Sequence, residues 1–443
     1  MSRIIQRSLR ETPDTAVRGE GIRLHLASGK VVIDGSGGAA VACIGHGNQR
    51  VAAAMAGQAG RVAYAHTGFF TSEPAEALAD ILLADEPGGL THAFFVSSGS
   101  EAMEAAIKLA RQYFIEAGQP RRTRFVARRQ SYHGTTLGAL SAGGHVARRA
   151  PYEPILSTAF SRVSPCFAYH YQASGEGDAR YVERLAAELE AEFQRLGPDT
   201  VAAFCAETVV GAATGCVAAV PGYFAAMRAV CDRHGALLVL DEVMCGMGRT
   251  GTLHAWEQEG VAPDIQVVAR GLGGGYAPIG GILASGRVIA ALRDGSGGFM
   301  HGQTYQAHPV ACTAALEVQR ILQEQDLVAH AARRGKVLER LLVERFGNHR
   351  QVGDIRGRGL FWALEFVSDR AGRTPFEPSA DIAERVKQAA LDRGLGVYPS
   401  VGTVDGVRGD HVIVAPPYIV AEPDLAEIVG RLGEAVDAVF AKQ

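Results

Sequence analysis

Apolar and polar positions along the chain fall into three regimes. Up to about residue 58, short alternating runs sit between glycines, as in GIRLHLASGKVVIDGSGG, and predict short strands. From about 59 to 315, compact apolar runs alternate with stretches of helical spacing. HAFFVSSGS is an apolar run, and EAMEAAIKLARQYF after it places Met103, Ala106, Ile107 and Ala110 on one helical face. TRFVARRQSYHG and TVAAFCAET predict strands, YFAAMRAVCDRHG a helix closed by glycine, and ALLVLDEV a buried strand. This alternation predicts an α/β fold: a large domain, 59–315, whose mostly parallel sheet carries helices on both faces. In such sheets ligands lie beyond the carboxyl ends of the strands. After about 316 the pattern lengthens into amphipathic helices, ACTAALEVQRILQEQDLVAHAARRGKVLERLLVERFG. Short strands follow in VGDIRGRGLFWALEFV and HVIVAPPYIV. Residues 316–443 are therefore expected to form a smaller α+β domain, completed by the N-terminal segment 1–58.

Composition narrows the function classes. The formal net charge is −3 in 443 residues, so charge implies no nucleic-acid or acidic-lipid partner. Seven cysteines occur without a CxxC pair, which argues against zinc ligation and a disulfide framework and for buried thiols in a reducing compartment. No metal site is expected. The N-terminus MSRIIQRSLRETPD has no apolar run of signal-peptide length, and no stretch of membrane-spanning length occurs. A cytoplasmic location is expected.

Four stretches carry candidate chemistry. In SSGSEAMEAA a strand ends, small residues turn, and a helix begins, so the amides around Gly99 and Ser100 can seat a phosphate. An ordinary serine helix cap would read the same way. Asp241, in LLVLDEVMCGMGRTG, ends a buried strand, where a carboxylate is costly unless paired. It could hold a ligand nitrogen protonated or simply cap the turn; Val243 points to the same side. Tyr132 in SYHGTT could lie flat on a planar ligand or pack in the core. Thr304, in HGQTYQAHP, has a hydroxyl suited to a phosphate oxygen, and the glycines of GLGGGYAPIGG allow close backbone approach.

Taken together and in order, SGSEAMEAAIKLAR, SYHG, LDEVMCGMGRTG, PDIQVVARGLGGGYAPIGG and HGQTYQAHPVA strongly resemble the class III aminotransferases, enzymes of fold type I that use pyridoxal 5'-phosphate (PLP). The resemblance runs from about Asp34 to the C-terminus. It implies that Gly99 and Ser100 bind the phosphate and that Tyr132 stacks on the pyridine, with His133 beside it. It further implies that Asp241 binds the ring nitrogen while Val243 packs on the other face. Glu207 in AETVV matches the family's acidic residue near the cofactor. Thr304 matches a threonine that reaches the phosphate of a neighbouring subunit, which implies a homodimer with shared active sites.

One position departs. Arg270 stands where the family has the lysine that forms a Schiff base with PLP and shuttles the substrate proton. A guanidinium is neither nucleophile nor base near neutrality. Of the other candidates, Lys30, Lys108, Lys336, Lys387 and Lys442, none lies in a glycine turn at the mouth of the sheet. The chain as given is therefore expected to be severely impaired, with PLP or the amine form (PMP) held non-covalently. A Lys→Arg change made to arrest the reaction would leave the other motifs intact, as they are here. A natural pseudoenzyme that binds PLP or PMP without turnover is the alternative.

The substrate reading also rests on resemblance. VIVAPP carries Ile413 where glutamate-using members often have arginine, and Met244 stands where they often have glutamine. DEVMCGMGRTG and RGDHVIVAPP are closer to the ω-amino acid and amine:pyruvate aminotransferases. Arg408 is then a candidate carboxylate clamp, and Tyr64, Phe69 and Phe70 are candidates for the substrate pocket. The expected reaction moves an amino group from an amine or ω-amino acid to a keto acid such as pyruvate. Relatives on the same frame include a dialkylglycine decarboxylase and a glutamate-semialdehyde aminomutase.

Overall fold

A computed structural model describes residues 3–441. Its centre is a seven-stranded sheet of β1 (Leu90–Val96), β2 (Arg124–Arg128), β3 (Phe160–Val163), β4 (Val201–Glu207), β5 (Leu237–Asp241), β6 (Ile265–Ala269) and β7 (Gly280–Ser285). The spatial order is β1-β7-β6-β5-β4-β2-β3. Every neighbouring pair is parallel except the two that involve β7. Because β7 is inverted against both neighbours, β1 again runs with β6. The carboxyl ends of β1, β2, β4, β5 and β6 therefore share one edge.

The sheet is buried on both faces, which explains its continuous apolar runs. Alternate residues of β5 go to opposite layers. Leu238 and Leu240 pack with Phe224, Met227 and Val230 of the helix Tyr223–His234. Leu237 and Val239 pack with Met103, Ala106, Leu109 and Phe114 of the helix Gly99–Glu116, here α1. Gly235 closes the first of these helices in a left-handed conformation, φ 63°.

A second core joins the two ends of the chain. The antiparallel strands Val352–Arg358, Phe361–Phe366, Asp410–Val414 and Tyr398–Val401 form one sheet, covered by the helices Ile382–Asp392 and Glu422–Phe440. The strands Ala16–Glu20, Arg23–Leu26 and Val31–Asp34 form another, whose last strand pairs in parallel with Leu395–Gly396. Ile22, Ile33, Ile44 and Val51 thereby enter the same cluster as Leu395, Ile428 and Leu432. The helix Pro309–Glu324 runs through the expected boundary at 315/316. It gives Cys312 and Ala315 to the first core and Val318 and Ile321 to the second. The helix Leu327–Phe346 follows after Asp326, whose φ of 49° breaks the helical path. No helix among the described residues is long and apolar enough to cross a membrane. All seven cysteines are buried and unpaired.

Candidate active site

The shared strand edge opens into a cavity of about 420 Å³. Gly99, Ser100, Tyr132, His133, Glu207, Asp241, Val243 and Arg270 all line it. Together they follow or end five strands of the parallel set, so residues spread from position 99 to position 270 are collected by topology.

One wall is the start of α1. Ser98, rather than Ser100, is the helix cap: its hydroxyl accepts from the Glu101 amide at 3.2 Å. The Gly99 and Ser100 amides keep no acceptor among the described residues. Ser100 Oγ accepts from the Thr135 amide at 3.0 Å, which leaves its own hydrogen free. Two open amides, a hydroxyl and the positive end of an eighteen-residue helix together can accept a dianion. The seat has no room for a larger residue, since a Cβ on Gly99 would come within 2.9 Å of Val243 Cγ1.

The opposite end holds the acids. Asp241 Oδ2 lies 2.8 Å from His133 Nδ1, and Asp241 Oδ1 accepts from the Val243 amide at 3.0 Å. With Nδ1–H donated to the carboxylate, His133 Nε2 is an acceptor that is buried without a partner among the described residues. Each Asp241 oxygen keeps acceptor capacity for an N–H in the cavity. Glu207 accepts from the Tyr132 amide at 3.0 Å and the Gly211 amide at 3.1 Å. Burial raises its pKa, with Asp241 pushing the same way and His133 opposing. Tyr132 presents its ring to the cavity while the Arg148 guanidinium sits 4.7 Å from the ring centre.

Arg270 follows β6 directly, in the left-handed region at φ 48°. This conformation costs a non-glycine residue roughly 1 kcal/mol or more and persists only where surroundings impose it. It turns the side chain into the cavity, where Nη1 donates to the Ala39 carbonyl. The residue is half-buried, and its guanidinium borders the cavity. Burial draws its pKa below the usual arginine value, and Tyr398, Tyr132, Asp241 and Glu207 oppose the shift.

The remaining candidates lie elsewhere. Arg408 is exposed and bonded to Asp405, with Nε 2.7 Å from Oδ2. Phe69 and Phe70, 79% and 67% exposed, border a separate cavity with Glu76 and Phe94. Tyr64 is exposed against Tyr305, ring centres 6.1 Å apart, and Thr304 is exposed on the same loop. Lys30, Lys108, Lys336 and Lys387 are not among the cavity residues, and Lys442 lies outside the described residues.

Sequence reasoning missed Val41 and Tyr276, both in the cavity wall. Tyr276 had a signal, since it sits inside the glycine turn. Its hydroxyl donates to the Gly45 carbonyl at 3.0 Å and accepts from the Asn48 amide at 2.9 Å, tying the turn to the N-terminal segment. Val41 comes from that segment, and no periodicity marks it.

Comparison with known proteins places the chain in a family. The profile of the class-III aminotransferases matches residues 4–436. An uncharacterised aminotransferase of Schizosaccharomyces pombe is 50% identical over 97% of this chain and 94% of its own length. A thermostable (S)-enantioselective omega-transaminase from Thermomicrobium roseum superposes with a TM-score of 0.89 at 38% identity, covering 98% of this chain and 93% of that one. The omega-transaminase of Pseudomonas jessenii, solved in complex with PMP, gives a TM-score of 0.92 at 32% identity, covering 97% and 93%.

Proposed function

The chain belongs to the class-III aminotransferases, and from that premise we propose that its cavity is built to move an amino group from an amine or ω-amino acid to a keto acid such as pyruvate, with PLP as cofactor. The observation that carries this reading is the convergence of a dianion seat, a buried carboxylate with free acceptor capacity and an aromatic wall in one cavity. That donor set fits a phosphorylated pyridine.

Gly99 and Ser100 would bind the phosphate through their amides and the Ser100 hydroxyl. Asp241, held by His133 and the Val243 amide, would keep a proton on the ring nitrogen. Tyr132 and Val243 would hold the ring flat between them. Glu207 would orient the Tyr132 backbone from below. Bound there, the cofactor supplies an aldehyde that takes up the amino group and a ring that withdraws electrons from the substrate carbon.

Arg270 takes the place of the family's lysine in this reading. Its guanidinium is delocalised and tied to the Ala39 carbonyl, so it neither attacks an aldehyde nor carries a proton away from carbon. The cofactor would then be held without a covalent link, and turnover would be very slow. The exposed Tyr64, Phe69, Phe70 and Thr304 fit a homodimer in which a second copy covers this surface and completes the site. The division into 1–58, 59–315 and 316–443 fits the two cores, with the helix Pro309–Glu324 as their shared spine.

The test is a PLP absorbance titration of this chain and of Arg270→Lys, followed by a panel of amines with pyruvate. The lysine variant is expected to bind PLP covalently and to cycle to PMP, while the parent does neither at an ordinary enzymatic rate. Ordinary turnover by the parent overturns the role given to Arg270. No turnover by either protein, with PLP still bound, favours the non-catalytic PLP-binding alternative. Carbon dioxide release would point to a decarboxylase, and isomerisation without a keto acid to an aminomutase.

A further inference from the structure

Arginine has five N–H donors in a planar fork. At Arg270 one of these groups, Nη1, donates to the Ala39 carbonyl, and that is its one hydrogen bond among the described residues. No carboxylate there lies within ion-pair distance of it. The two acids of the cavity are already engaged: Asp241 with His133 and the Val243 amide, Glu207 with the Tyr132 and Gly211 amides. A half-buried guanidinium thus borders the cavity with most of its donors unmatched by protein. Those donors are free to meet an acceptor that a ligand brings into the cavity.

We infer that Arg270 is an anion-recognition residue, and that it takes the carboxylate of an amino or keto acid bound beside the cofactor. The inference rests on the PLP-site reading above and assigns this residue a role that the lysine chemistry does not. The phosphate has its own seat on α1, at the end of β1. The Ala39 bond instead directs the guanidinium toward the N-terminal segment, where Val41 also borders the cavity. A carboxylate is planar and accepts two parallel N–H bonds from a guanidinium fork, a geometry that lysine cannot match. Arg408 is exposed and already bonded to Asp405.

The experiment is a binding comparison that needs no turnover. Two stable reduced probes share the phosphopyridoxyl group: N-(phosphopyridoxyl)-L-alanine, which has a carboxylate, and N-(phosphopyridoxyl)ethylamine, which lacks it. Their dissociation constants are measured by calorimetry for the parent, for Arg270→Gln and for Arg270→Lys. A charge-assisted pair in an enclosed site corresponds to roughly a 10- to 100-fold preference. The parent is expected to prefer the alanine probe by that factor. In Arg270→Gln the preference should fall to within about twofold while the ethylamine probe binds as before. Arg270→Lys keeps a charge without the fork, should fall between them, and serves alone if the glutamine variant does not fold. Equal binding of both probes by the parent overturns the inference and leaves the cofactor site intact. Equal weakening of both probes in Arg270→Gln also overturns it, because the arginine would then be serving the shared phosphate. Failure of either probe to bind the parent overturns the cofactor-site reading itself.

Discussion

Gly99→Ala tests the proposed phosphate seat most directly. The added Cβ would lie 2.9 and 3.1 Å from the two Val243 methyls and 3.5 Å from Ala269 Cβ. Ordinary carbon contacts begin near 3.5 Å, so about half an ångström must be yielded on one side. Val243 is poorly placed to give way. Its amide is bonded to Asp241, and its β-branched side chain has few rotamers. The start of α1 is therefore expected to move instead. A shift of that size would lengthen the bonds proposed from the two open amides to the phosphate, each worth about 1.5–3 kcal/mol when the acceptor is charged. Losing even one of them weakens PMP binding roughly tenfold to a hundredfold. Overpacking costs the fold about 1–3 kcal/mol, partly offset by alanine's better helix propensity. The assay is PMP affinity by fluorescence titration, with thermal unfolding of the ligand-free protein alongside. Gly60→Ala is the control: it lies in the helix Gln49–Arg61, and its Cβ would meet nothing within 4 Å. It should stabilise by about 0.4–1 kcal/mol and leave PMP binding unchanged. Unaltered PMP affinity in Gly99→Ala would refute the placement of the phosphate at this turn.

Two further outcomes concern the frame behind the site. Glu242, pushed up to about 7 by burial, accepts from Thr208, Trp256, Ala255 and Gln266, two donors on each oxygen, at 2.7–2.9 Å. Glu242→Gln turns an N–H₂ toward two of these donors and should cost about 2–4 kcal/mol, read as a fall in Tm of several degrees; an unchanged Tm would mean the donors find other acceptors. Burial holds His145 and His254 down to about 4 and His411 to about 3, the last aided by Arg356. Their unfolded values lie near 6.5, so the unfolded chain binds more protons between pH 6.5 and 4. Stability should therefore fall as pH drops through that window. Urea midpoints from pH 7 to 4 measure the fall, and His411→Gln should make it shallower; an identical slope would remove His411 from the account.

Much of this architecture is written locally. A short continuous apolar run marks a strand buried on both faces and 3.6-residue spacing marks the buried face of a helix, so β5, α1 and the helix closed by Gly235 were legible as they stand. The strand ends could be read as candidates through the family resemblance of their motifs, since a serine cap or a turn-capping aspartate reads the same way locally, and Asp241 and Gly99 both border the cavity.

Tertiary structure decided the rest, because it depends on which distant segments meet. Ser98 caps α1 and thereby frees Ser100, a choice between neighbours with the same side chain. Val41 reaches the cavity because residues 31–34 pair with the strand at 395–396 and dock the N-terminal segment against the second core. Arg408 is bonded to Asp405 three residues away, and Phe69 and Phe70 face a different cavity, although the chain alone allowed all three a place beside the substrate. Spacing shows where a side chain is buried or exposed along its own element. It does not encode long-range pairing, which set the direction of Arg270: a left-handed turn after β6, with a bond to a carbonyl 231 residues earlier in the chain.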